Sequence, residues 1–110
     1  MYRISIDFSI FTKSGNSSRV YGEIDVSVIP QVGDRISFPL LSKPGIDLDT
    51  CAPYICKHRI VTDRVITVNA DISEVIILLD DVMVLSDDQA TSVMEYFEKA
   101  YSLVGDVHNT

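Results

Sequence analysis

Cysteine, clustered glycine and long apolar runs are all scarce in this 110-residue chain, and each shortage argues against a class of protein. Two cysteines are too few for a disulfide scaffold, so we expect a protein of the reducing cytoplasm. No stretch approaches the roughly 20 apolar residues that span a bilayer, and Asp7 interrupts the segment where a signal peptide needs its apolar run. The glycines are isolated, so no phosphate-binding loop and no cofactor are predicted.

Basic residues are almost absent from one part of the chain. Residues 1–70 hold seven acids and eight bases, whereas residues 71–110 hold nine acids and Lys99 as the only base, so the second region produces the net charge of −7. The excess of acid disfavours binding to nucleic acids or anionic membranes, because both need Lys and Arg. Such an asymmetry suggests a charged partner, although a solvated surface that keeps the protein soluble is the alternative interpretation.

Alternating apolar and polar residues predict a hairpin over residues 2–29. The alternation runs through residues 4–10 and resumes through residues 20–28, on either side of a polar loop with Gly and Asn. Pro30 cannot donate to a strand ladder, so it is predicted to end the second strand. A third, short strand is predicted over residues 35–38.

Residues 59–85 predict a second hairpin at the centre of the fold. β-branched residues at 65–68 favour one strand, turn-forming residues follow at 69–73, and the continuous apolar run at 75–79 predicts a strand covered on both faces. Charged side chains within residues 62–64 fall on otherwise apolar faces. A β-bulge, or an edge where long side chains reach water, would resolve this conflict.

One amphipathic helix is predicted over residues 87–104. Ser86 and Gln89 have the spacing of a capping box, and Gly105 suits the C-terminal stop. Residues 106–110 are predicted to fray. The apolar stripe consists of Ala90, Val93, Met94, Phe97, Tyr101 and Val104.

Residues 40–57 are predicted to form a long irregular loop, because prolines and Gly45 break regular elements there. Loops of this length are often functional, although a plain excursion between sheet edges explains the pattern equally well. The elements together predict a single α+β domain over residues 1–110. Its mostly antiparallel sheet would have five to six strands and would curl, with one C-terminal amphipathic helix on one face.

Asp49, Cys51, Cys56 and His58 form the only cluster with metal-ligand residue types. The usual zinc signature spaces its cysteines by two to four residues and supplies two such pairs, and that pattern is missing here. Cys56 and His58 would share one face of a strand, the minimum for nucleophilic catalysis, yet nothing marks an oxyanion hole or a third orienting group. We therefore predict free thiols, no metal and no enzymatic activity.

Paired and helical carboxylates in the second region are predicted to bind a partner. They lack the spaced loop that wraps calcium, and those at the helix start also favour the helix dipole. We expect them to attract a basic protein, in the way that inhibitors of nucleases, such as immunity proteins and antitoxins, present an acidic face. This analogy rests on charge and size alone. The predicted residues are Asp80, Asp81, Asp87, Asp88, Glu95 and Glu98.

The alternative is a structural or assembly module, such as a phage or secretion accessory subunit. Two hairpins and a stray strand leave sheet edges unpaired, and an unpaired edge can pair with another chain. Such a protein would form homo-oligomers through those edges and the loop at residues 40–57.

Overall fold

The computed structural model describes residues 1–55, 58–68 and 73–108, with all of their side chains except those of Cys51, Ser73 and His108. Seven strands and two helices lie within these ranges. In chain order they are β1 (Tyr2–Thr12), β2 (Ser17–Val26), β3 (Arg35–Ile36), α1 (Leu48–Ile55), β4 (Arg59–Val68), β5 (Ser73–Leu79), β6 (Val82–Val84), α2 (Asp87–Tyr101) and β7 (Val104–His108).

The strands form a strongly curled sheet in the order β3-β4-β5-β1-β2-β7, with β6 also paired to β1. β1 pairs in parallel with β5 and β6, whereas the other ladders are antiparallel. The predicted α+β class and the mostly antiparallel, curled sheet are therefore confirmed. The predicted N-terminal hairpin is β1 with β2, in a register that runs from Tyr2 opposite Val26 to Phe11 opposite Ser17.

Helix α2 lies on one face of the sheet and closes the core. Phe97 makes edge-to-face contacts with Phe8 and Phe38, with ring centroids 5.0 and 5.4 Å apart. The Ser86 hydroxyl accepts the main-chain N–H of Gln89 at 3.2 Å, which is the predicted cap. The buried residues of α2 are Ala90, Val93, Met94, Tyr96, Phe97 and Ala100.

α2 ends earlier than predicted. The helix stops at Tyr101, and Ser102 adopts a left-handed φ of 57° in place of the predicted glycine stop. The main-chain N–H of Leu103 then bonds to the carbonyl of Phe97, which turns the Leu103 side chain into the core. Val104, predicted to end the apolar stripe, lies outside the helix and is 45% exposed.

Residues 104–108 form β7, so the prediction that the chain frays from residue 106 is wrong for residues 106–108. The strand forms because β2 offers a free edge, along which β7 pairs antiparallel. Gly105 lies directly beneath α2, where a Cβ atom would be 2.3 Å from Cγ of Met94. Glycine is needed there for the close approach of helix and strand. Residues 109 and 110 lie outside the described ranges.

The loop predicted over residues 40–57 contains helix α1, so that prediction is wrong for Leu48–Ile55. The Asp47 carboxylate caps this helix by accepting the main-chain N–H of Thr50 at 3.2 Å and its hydroxyl at 2.6 Å. Pro53 lies late in the helix and removes only one helical hydrogen bond. The Tyr54 hydroxyl donates to Oε1 of Gln89 at 2.9 Å, which fixes α1 against α2.

β4 and β5 form the predicted central hairpin, and the bulge is present as a register shift between Val61 and Asp63. The turn predicted at residues 69–73 falls mainly on residues 69–72, outside the described ranges. The prediction that both faces of β5 are covered is wrong for one face. Ile77 and Leu79 are buried, whereas Ile76 and Leu78, on the opposite face, are only half-buried. The third predicted strand is limited to β3.

Candidate partner-binding surface

Three carboxylates of α2 lie outside its buried stripe, Asp88, Glu95 and Glu98, and we call them the acidic helix face. Asp88 and Glu95 are exposed, and Glu98 is half-buried. Residues seven apart lie two turns apart on the same side of a helix, and residues three apart are neighbours. The buried stripe fixes the rotation of the helix, so Asp88 and Glu95 point towards solvent from a rigid element. Glu98 lies beside β7, where its Cδ would be 3.4 Å from a Cβ atom at Gly105.

Little positive charge offsets the acidic helix face. Oε2 of Glu95 is 3.8 Å from Nζ of Lys99, and the same Nζ donates to the carbonyl of Gly45 at 2.8 Å. Within the described part of the chain, Asp88 and Glu98 make no ion pair. Because like charges on neighbouring turns repel each other, this face opposes folding slightly unless a cationic group approaches.

Asp87 is turned towards the sheet instead. Nδ2 of Asn16, in the turn between β1 and β2, lies 3.2 Å from both carboxylate oxygens of Asp87. This contact ties the start of α2 to the N-terminal hairpin, and the helix dipole favours the same negative charge. Asp87 therefore has a structural use within the chain.

Asp80 is also bound within the fold. Its Oδ1 accepts the main-chain N–H of Ile60 at 2.8 Å and lies 3.8 Å from Nε of Arg59, which is only 7% exposed. Nη1 of Arg59 donates to the carbonyl of Asp81 at 3.4 Å, while its Nε has no hydrogen-bond partner among the described residues. The Asp81 side chain is exposed. Asp80 and Asp81 directly precede β6, and their predicted place in one binding surface with the carboxylates of α2 stays a prediction.

The acids of the N-terminal hairpin are mostly paired across strands. Arg19 forms a two-pronged contact with Asp7 at 2.6–3.1 Å, and Arg3 contacts Asp25 at 3.1 and 3.3 Å. The Arg3 guanidinium, by hydrogen bonding, lowers the pKa of Asp25 below its usual value. These pairs were not predicted from the sequence, although aligning the two alternating runs as a hairpin would have suggested them.

A groove that the sequence analysis also missed lies beside the second half of β2. Its volume is about 380 Å³, and we call it the β2 groove. Its rim carries Arg3, Glu23 and Asp25. The Tyr101 hydroxyl donates to the carbonyl of Pro39, and burial raises the pKa of Tyr101 to about 12. The apolar floor consists of Ile24, Val26, Ile36, Phe38 and Tyr101.

β4 presents a second, different surface. Val65, Ile66 and Val68 are 41%, 57% and 73% exposed, and β3 covers only the first residues of β4. Oδ1 of Asp63 accepts the main-chain N–H of Arg64 at 2.8 Å, next to the register shift between Val61 and Asp63. An apolar open edge of this kind can accept another strand.

Only part of the cluster formed by Asp49, Cys51, Cys56 and His58 lies within the described residues. Cys56 lies outside the described residues, the side chain of Cys51 is likewise not described, and His58 is exposed. In the ranges that the structure covers, no group of three or more His, Cys, Asp or Glu side chains is placed to hold a metal ion. The prediction of free thiols stays a prediction.

Comparisons with known proteins give no relative: no protein-family model, no curated protein and no solved structure matches the chain. Among residues 1–55, 58–68 and 73–108, no helix has the length and apolar character needed to cross a membrane.

Proposed function

We propose that the chain is a small acidic binding protein that neutralises a basic protein partner, in the manner of an immunity protein or antitoxin that inhibits a toxin enzyme. The observation that carries this proposal is the acidic helix face. Two of its three carboxylates, Asp88 and Glu98, have no ion pair in the described part of the chain, and α2 is held by a fully buried stripe. A rigid surface whose carboxylates are not paired with cations of the described chain suits a partner rich in Lys and Arg.

The physical basis is electrostatic attraction over distance. A net charge of −7 and an uncompensated helical face raise the local concentration of a cationic partner and accelerate encounter. Contact then relieves the repulsion among the carboxylates. Because salt screens exposed charges beyond a Debye length of about 8–10 Å, association should slow as ionic strength rises.

The test neutralises the acidic helix face with near-isosteric substitutions. We expect a triple variant, Asp88→Asn, Glu95→Gln and Glu98→Gln, to associate with the partner about tenfold more slowly than the wild type at low salt. A basic protein encoded by a neighbouring gene, once it is shown to bind the wild type, serves as the partner, and stopped-flow kinetics give the rates. Wild-type rates in the triple variant would reject the acidic helix face as the binding surface.

A matched control separates position from net charge. The substitutions Asp63→Asn, Glu74→Gln and Asp106→Asn remove as much negative charge as the first triple variant does, but from strands of the sheet and not from α2. Amide side chains can still accept the bonds that these carboxylates receive from Arg64, Ser5 and Tyr21. Association of the control should stay close to that of the wild type. An equal slowing in both triple variants would mean that total charge, and not the acidic helix face, attracts the partner.

A second candidate function, an assembly module, is favoured by the open edge of β4. Three exposed apolar residues on an edge without a neighbouring strand at residues 62–68, so far as the structure describes the chain, suit pairing with another copy. This candidate predicts concentration-dependent dimers or larger species in sedimentation velocity. Ile66→Lys should convert them to monomers, and a wild type that is monomeric at every concentration would reject it.

A further inference from the structure

The second half of β4 is exposed on both faces of the sheet. From residue 62 to residue 68 every side chain is exposed, and β5 pairs with this segment on one side. On the other side, coverage reaches Val61, whose main-chain N–H and carbonyl bond to Asp34 and Gly33 at 2.9 Å. Beyond Val61, no strand among the described residues borders β4 on that side. We call residues 62–68 the β4 edge.

The β4 edge has little protection against pairing with another chain. Edge strands of soluble proteins usually carry charges, prolines or bulges that prevent such pairing. Here they lie at the beginning of the segment, as the bulge next to Val61 and the charges of Asp63 and Arg64. The residues that follow, 65–68, are Val, Ile, Thr and Val, which favour strands and carry no charge. Their exposed apolar side chains would leave water if another strand paired here.

The charge of the β4 edge suits a second copy of the chain. Asp63 and Arg64 cancel, so the segment has no net charge, in contrast to the acidic helix face. Two identical strands can pair antiparallel about a two-fold axis, so that each contact occurs twice. Full overlap of residues 62–68 places that axis at Val65, the middle of the segment.

In this register no like charges face each other. Val65 faces Val65 of the second copy, and Asp63 faces Thr67, whose hydroxyl can donate to the carboxylate. Arg64 faces Ile66, which its aliphatic stem can cover. Registers centred at Asp63 or Arg64 would place like charges directly opposite each other, which is destabilising. Registers centred beyond Val65 shorten the overlap.

From the uncovered segment, its neutral charge and its self-complementary register, we propose that two copies of the chain form a closed dimer by antiparallel pairing of their β4 edges, with the two-fold axis at Val65. The axis is perpendicular to the joined sheet, so both α2 helices lie on the same side of it. This inference rests on the second candidate function and specifies a closed pair with one register. It does not depend on the acidic helix face.

The test compares two lysine substitutions that add the same charge to the same face of β4. Val65→Lys sets two lysines opposite each other at the axis, so its dimer should dissociate about tenfold or more readily than that of the wild type. Thr67→Lys sets a lysine opposite Asp63 of the second copy, so its dimer should be as tight as that of the wild type or tighter. Sedimentation equilibrium gives the dissociation constants, and circular dichroism checks that each variant is folded.

A mixed sample separates loss of pairing from loss of folding. Val65→Asp should also weaken the dimer about tenfold or more, because two carboxylates then meet at the axis. An equimolar mixture of Val65→Lys and Val65→Asp should restore dimers, because opposite charges meet there. Added NaCl should tighten the wild-type dimer, because it screens the repulsion between two copies that each carry −7.

Three results would overturn the inference. They are a wild type that is monomeric at every concentration, which also rejects the second candidate function, equal weakening by Val65→Lys and Thr67→Lys, and a mixture that stays monomeric. Oligomers that Val65→Lys leaves intact would also overturn it and would assign assembly to another surface. Loss of basic-partner binding in Val65→Lys, with no wild-type dimer, would assign the β4 edge to that partner. The triple variant of α2 tests the acidic helix face separately, so failure of the dimer leaves that proposal standing.

Discussion

Asp80 and the acidic helix face carry the same kind of charge in opposite surroundings. The Asp80 carboxylate accepts the N–H of Ile60 at 2.8 Å and lies 3.8 Å from the buried Arg59. On the acidic helix face, Asp88 and Glu98 make no ion pair to any described residue, and Glu95 shares Lys99 with the carbonyl of Gly45.

This difference in internal pairing indicates which carboxylates a partner could neutralise without a loss of stability. A carboxylate that serves as acceptor and counter-ion within the fold cannot be given to a partner without loss of stability. Carboxylates that repel one another at the surface lose nothing when a partner neutralises them. Asp80 therefore has a structural use within the fold, so a charge reversal at Asp80 would report on folding before binding, and its predicted part in partner binding stays a prediction.

The first prediction concerns the contribution of the Asp80 carboxylate to the stability of the fold. Asp80→Ala should lower the free energy of unfolding by about 2–3 kcal/mol, because it leaves the Ile60 N–H unbonded and Arg59 buried without a counter-ion. Asp81→Ala, one residue further on, removes only an exposed side chain and should stay within about 0.5 kcal/mol of the wild type. Urea denaturation measures both. Equal losses of stability in the two variants would show that the Asp80 carboxylate stabilises the fold no more than the exposed Asp81 carboxylate does.

The second prediction concerns the attachment of α2, which presents the acidic helix face. Gly105→Ala should cost about 1–3 kcal/mol, because its Cβ would meet the Met94 side chain at 2.3 Å and force the helix away from β7. In a double-mutant cycle, the cost of Gly105→Ala should shrink in a Met94→Ala background. Additive costs would show that α2 does not rest on Gly105.

The third prediction tests the N-terminal cap of α2. Ser86→Ala should lower the free energy of unfolding by about 1 kcal/mol, because the N–H of Gln89 loses its acceptor. Thr91→Ala, at an exposed position of the same helix, should not destabilise the protein, since Ala is the better helix former. A Ser86→Ala variant as stable as the wild type would mean that the start of α2 does not depend on this cap.

The fourth prediction concerns the dependence of stability on alkaline pH. Burial raises the pKa of Tyr101 from its usual 10 to about 12, so the folded chain holds this proton more tightly than the unfolded chain does. The stabilisation is complete below pH 10 and is lost as the pH rises through about 12. Unfolding followed from pH 9 upwards should show a steeper loss in the wild type than in Tyr101→Phe. Parallel curves would contradict burial of this hydroxyl.

The sequence predicted those elements whose signals are local. The alternation in residues 4–10 and 20–28 predicted β1 and β2, and the Ser86 cap predicted the start of α2. The misplaced charges indicated either a bulge or an exposed edge near Asp63, and the structure has the bulge. β7 was missed because a five-residue strand forms only where β2 supplies a free edge. α1 was not predicted because Pro53 is typical of irregular segments. The helix forms because the Asp47 cap and packing against α2 stabilise it.

Much of the candidate site could not be predicted from the sequence, because its residues are far apart along the chain and meet only when it folds. Six carboxylates looked alike along the chain, yet the role of Asp80 depends on Ile60, 20 residues away, and that of Asp87 depends on Asn16, 71 residues away. The β2 groove joins residues 24–26, 36–38 and Tyr101, which no spacing rule connects. Helical periodicity predicted outward positions for Glu95 and Glu98; Glu95 is exposed, whereas Glu98 is half-buried.

The central claim is that the acidic helix face does not hold the fold together. The most direct measurement is the free energy of unfolding of a Glu95→Gln and Glu98→Gln double variant beside the wild type, in about 20 mM and about 500 mM NaCl. The account predicts that the double variant is within about 0.5 kcal/mol of the wild type, or more stable, at low salt, and that added salt stabilises the wild type more. A loss of about 1 kcal/mol or more at low salt would contradict it, because these carboxylates would then be structural.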